Sequence, residues 1–154
     1  MGQVVGFTDL KVDQRVKVKG QAGEGGKFIA VEVGIKPQDD EVSLEAKIQG
    51  VDLQKNSLKI MSRDLAISNN VMIKNIPRQL VTLRELKAGD VVKIKGNYSR
   101  ANGFVPAKIK MQEPRGFTID ELQGPIGKID QAGKTLELLG FTIVVNEKTE
   151  IEGF

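Results

Sequence analysis

The chain has 154 residues, 40% of them hydrophobic and 28% charged, with a formal net charge of +3 and no Cys, His or Trp. That balance belongs to a globular chain of one domain or two small ones. The missing types exclude disulfides, thiol chemistry, imidazole acid–base catalysis and the usual transition-metal ligands. No apolar run reaches membrane-spanning length, and the start MGQVVGF lacks the basic head and apolar stretch of a signal peptide.

Residues 10–20 read LKVDQRVKVKG, in which Val16 and Val18 alternate with Lys17 and Lys19. This is the period of a strand with one buried face. The glycines of AGEGG (22–26) supply a turn, and Phe28 and Ala30 begin a partner strand, so the segment is predicted to be a hairpin, block A. Block B runs over 42–74. Leu44, Ala46 and Ile48 point one way until Gly50 and Val51 break the alternation, as Gly127 and Ile129 do in the second copy, where a bulge would bend the strand. A turn at 54–56 then leads to two short strands, LKIM and AIS. Residues 77–87 alone have helical character, enough for a single turn.

Both blocks recur. LKAGDVVKIKG at 86–96 repeats 10–20 at a shift of 76 residues, with Val92 and Ile94 alternating with Lys93 and Lys95, and Phe104 repeating Phe28. Residues 118–152 repeat block B at a shift of 78, carrying Asp52 onto Asp130 and Leu58 onto Leu136. The chain is two periods of a roughly 77-residue unit. Two strands from A and three from B, the first of them bent, predict an all-β protein of two OB-like five-stranded small β-barrels. If a barrel needs B followed by A, residues 42–112 form one, and 1–41 close with 113–154 to form the other. The alternative is tandem barrels over 1–77 and 78–154, since consecutive elements usually neighbour one another.

Block B with its Ile129-Asp130 pair and Thr149-x-Ile151, joined to Leu-x-x-Gly-Asp-x-Val-x-x-x-Gly at 86–96, resembles the bacterial domain of unknown function numbered 5666. The resemblance covers nearly the whole chain. It rests on structural glycines, turn residues and core aliphatics, so it implies a fold and no active site. It also implies an exported or envelope-associated role. The block order departs from the family, which reads B then A where this chain reads A, B, A, B.

Charge concentrates in the second block A. Residues 74–115 hold ten Lys or Arg against three acids, Glu85, Asp90 and Glu113. Lys93 and Lys95 share one outward strand face, Lys108 and Lys110 lie on the next strand, and Tyr98 and Arg100 sit near the turn between. Cations tracking phosphates beside a stacking ring are how OB barrels hold single strands, although outward lysines are also ordinary solvation and edge protection. Asp39, Asp40 and Glu41 lack the spaced ligands and bracing glycine of a calcium loop, and Asp52 and Asp130 fit turn caps better than catalysts. The sequence therefore points to a non-enzymatic binding or interaction module without cofactor or metal, whose partner is a macromolecule or surface. The alternative is single-stranded nucleic-acid binding through the basic face.

Overall fold

The computed structural model describes residues 6–23, 27–37, 41–61, 63–99, 101, 103–113 and 120–153. The first hairpin is β1 (Arg15–Ala22) and β2 (Lys27–Ile35). Then come β3 (Val42–Lys47), β4 (Gly50–Asp52), β5 (Ser57–Ile60), β6 (Arg63–Ala66), β7 (Met72–Lys74) and β8 (Leu80–Val81). The second hairpin is β9 (Val91–Ser99) and β10 (Gly103–Gln112). Last are β11 (Asp120–Asp130), β12 (Thr135–Leu138), β13 (Phe141–Val144) and β14 (Glu150–Glu152). The helical turn anticipated within 77–87 is a 3-10 turn at Leu83–Glu85; the same segment also supplies β8.

A five-stranded mixed β-barrel closes on itself. β1 pairs antiparallel with β2 and β11, β11 with β12 and β12 with β13, while β13 lies parallel to β2. Alternation drives this closure, because it sends Val16, Val18, Phe28, Leu122, Leu138 and Ile143 inward, all fully buried. The hairpin near one end of the chain is thereby knitted to strands near the other. β11 bends at a bulge between Ile126 and Lys128, around Gly127, as its broken alternation predicts. Pro125 lies opposite Arg15 inside the sheet. Its missing N–H falls where pairing to β3 has ended at Gln123 and pairing to β12 has yet to begin at Ile126.

The remaining strands repeat these ladders in register. The β1–β2 ladder shifts between Lys19 and Gly20, and the β9–β10 ladder shifts where Gly96 faces Pro106 and Lys95 faces Lys108. Ile151 of β14 lies parallel on Val33, and its counterpart Ile73 of β7 lies parallel on Ile109. The halves meet through β3 and β11, where Leu44 faces Leu122. These two leucines are counterparts at the 78-residue shift, so the antiparallel pair that joins the halves is centred on an internal pseudo-two-fold axis.

One prediction is corrected at this point. Two closed barrels were expected, and among the described residues only one closes. β6, the counterpart of β13, forms no ladder with β10, the counterpart of β2. The strands differ at the residues concerned: Thr142, Ile143 and Val144 are all β-branched, whereas Asp64, Leu65 and Ala66, which pair with β5, offer a second neighbour no β-branched surface. Leu65 and Phe104 are correspondingly half-buried, while their counterparts Ile143 and Phe28 are completely enclosed.

The turns behave as their residue types require. Asp52 Oδ1 accepts the backbone N–H of Gln54 and of Lys55, both at 3.0 Å, and Asp130 Oδ1 accepts that of Gly133 at 3.1 Å. Each turn then passes through a left-handed residue, Asn56 at φ 51° or Lys134 at φ 51°. Asp52→Ala is expected to cost about 1 kcal/mol and Asp130→Ala less, having one bond to lose rather than two. Urea denaturation of the two variants checks the order.

Candidate functional site

The outward face of β9, β10 and β7 gathers cations in two rows. Antiparallel and parallel registers set Glu45, Lys93, Lys110 and Lys74 side by side across four strands, with Leu80 of β8 beyond Lys74. The adjacent row runs Ser43, Lys95, Lys108 and Met72. Neighbouring strands are about 4.8 Å apart and same-face residues along a strand about 7 Å, so five lysines share a patch the size of a few phosphate groups. Ile94, Ile109 and Ile73 point the opposite way into the core and lock this orientation.

The clustering is visible in the chemistry of Lys110. Its amine is held below the ordinary lysine range, chiefly by the charge of Lys95, then by partial loss of hydration and by Arg78, Lys74 and Lys108. Lys95 also makes a half-exposed ion pair with Glu41 at 3.5 Å, a contact that contributes roughly 0–1 kcal/mol. An open cleft of about 440 Å³ adjoins the patch, lined by Lys74, Asn75, Ile76, Arg78, Lys110 and Met111 among others.

Lys93, Lys95, Lys108 and Lys110, singled out from the sequence, share this face, and Lys74 and Arg78 join them. The alternation along block A marks the first four, but the parallel pairing of β7 with β10 brings in the other two, and no local pattern signals it. Tyr98 stands apart from the lysines. Three positions beyond Lys95, it falls on the opposite side of β9 and packs half-buried against the core, as does its cross-strand partner Phe104. Arg100, and the acidic Asp39 and Asp40, lie outside the described residues. Among the described residues no cluster of three or more metal-ligating side chains occurs, and no helix is long and apolar enough to cross a membrane.

The pseudo-two-fold relates backbones and not charges. On the barrel's counterpart face, Lys17 and Lys19 stand among Glu32, Glu121, Glu150 and Glu152, and Lys17 pairs with Glu121 at 3.4 Å. The cationic face is therefore a property of residues 42–112 alone. No family model, curated protein or solved structure matches the chain, so the candidate site rests on the chain's own geometry.

Proposed function

We propose that the protein is a non-enzymatic binding module that holds a polyanionic macromolecule or surface on the outward face of β7, β9 and β10. The observation that carries this reading is the register that places Lys74, Lys110 and Lys93 in one row beside Lys95 and Lys108. Like charges this close repel one another, in keeping with the lowered Lys110, and an anion laid across them relieves that repulsion. A rigid sheet presents the amines without an ordering cost at the backbone.

The same proposal includes an OB-like fold for the barrel, supported by five closed strands with one parallel contact, and a division into 42–112 and the joined 1–41 and 113–154. The exported or envelope setting belongs to it through the resemblance to the domain of unknown function numbered 5666. Single-stranded nucleic acid is the second reading, and the position of Tyr98 away from the lysines counts against base stacking on this face.

Titrating a fluorescent heparin oligosaccharide or single-stranded DNA at low salt tests the proposal. The protein is expected to bind, with log K for single-stranded DNA falling linearly against log salt by roughly 0.7 for each phosphate neutralised. Combining Lys74→Gln, Lys108→Gln and Lys110→Gln should leave the fold intact and make that slope shallower by roughly two units. In wild type the Lys110 amine should titrate higher once ligand is bound, as read by NMR. No association with any polyanion at low salt, or binding that the triple variant retains in full, would overturn the reading.

A further inference from the structure

The edge of the cationic face carries aliphatic side chains that a solvated surface does not need. Leu80, beside Lys74, is 68% exposed; Met72, beside Lys108, and Ile76, in the β7–β8 turn, are each 43% exposed. The turn that presents them is well braced. Asn75 N–H donates to the Gln79 carbonyl at 3.0 Å, Gln79 N–H to Asn75 Oδ1 at 2.8 Å, and Arg78 N–H to the Asn75 carbonyl at 2.9 Å. Ile76 and Arg78 thus sit together at the tip, with Lys74 at its base and Lys110 in register beside it. On the closed barrel, the counterparts of Met72 and Lys74 are Glu150 and Glu152, so neither apolar exposure nor positive charge follows from the repeat.

We propose that this edge is a peripheral docking surface for an anionic lipid bilayer. Ile76, Leu80 and Met72 enter the boundary between headgroups and acyl chains, while Lys74, Arg78, Lys108 and Lys110 hold lipid phosphates. The inference deepens the polyanion reading and rests on it. Charge complementarity selects an anionic partner, and the exposed side chains select its kind: a nucleic acid rewards flat rings on the cationic face, whereas aliphatic groups gain only by leaving water for an apolar phase. A short hairpin with a fixed turn enters such a boundary without unfolding, since the N–H groups of Asn75, Arg78 and Gln79 are already paired within it.

Sedimentation with vesicles of phosphatidylcholine, with and without about a third phosphatidylglycerol, tests the full chain against the probe that the proposal names. Binding is expected to the anionic vesicles only. Combining Ile76→Ser and Leu80→Ser should weaken vesicle binding roughly tenfold or more and leave the affinity for soluble heparin unchanged. Because the chain has no Trp, a Leu80→Trp substitution adds a single indole whose emission should shift to the blue on anionic vesicles. Circular dichroism melts confirm that each variant is folded. Vesicle binding that the serine variant retains, an indole emission that vesicles leave unshifted, or binding to heparin or single-stranded DNA without binding to vesicles would overturn the inference and leave the polyanion reading standing. Failure to bind any of these probes would remove both.

Discussion

Replacing Gly20 with Ala is expected to destabilise the protein by about 3 kcal/mol or more, the range in which backbone overpacking defeats relaxation. The reason is a close approach within the barrel. At the bulge of the β1–β2 ladder, a Cβ on Gly20 would press into the Ile29 carbonyl, and it would lie 2.9 Å from the edge of the Phe28 ring. Backbone cannot swing aside as a lysine tip does. Gly96 occupies the corresponding place in the second half, where a Cβ would meet the Val105 carbonyl, so Gly96→Ala should be costly for the same reason. Gly34→Ala is the control: its Cβ would touch only the Lys36 side chain at 3.9 Å, and its effect should be near zero. Urea midpoints decide the matter, and a Gly20→Ala protein as stable as the Gly34→Ala control would refute the close approach.

The second large effect separates the two halves. Phe28 is completely enclosed in the closed barrel, and Phe28→Ala is expected to cost about 3–5 kcal/mol through lost burial and the cavity left behind. Phe104 is its repeat counterpart but only half-buried at the seam where β6 and β10 do not pair, so Phe104→Ala should cost roughly 1–2 kcal/mol. The comparison needs no absolute scale, because the chemistry removed is identical. Equal losses in calorimetry would mean that the second half encloses its phenylalanine as fully as the first.

Much of this architecture is legible along the chain. Val16 and Val18 against Lys17 and Lys19 announce a one-sided strand, Asp52 and Asp130 announce capped turns, and the broken alternation before Gly127 announces the bulge in β11. The open seam was not: the matching glycines and aliphatics predict two equivalent barrels, and the change from Thr142-Ile143-Val144 to Asp64-Leu65-Ala66 gains its meaning only from β6 and β10 standing unpaired. Of the candidate site, the alternation picked out Lys93, Lys95, Lys108 and Lys110 as outward residues. Tyr98, expected beside them near the turn, stands an odd number of positions from Lys95 and so falls on the opposite face.

What the sequence determined by itself is what depends on neighbours within a few residues: strand period, turn chemistry and the duplication, which are all written in local order. Only the tertiary structure decided which edges meet. β13 finds β2 across more than a hundred residues and closes the barrel, β6 fails to find β10, and β7 lies parallel to β10 and adds Lys74 and Arg78 to the cationic face. Such pairings are chosen by the balance between closing a long loop and burying a shared face, and that balance is a property of the whole packed chain, which no short stretch of residues carries.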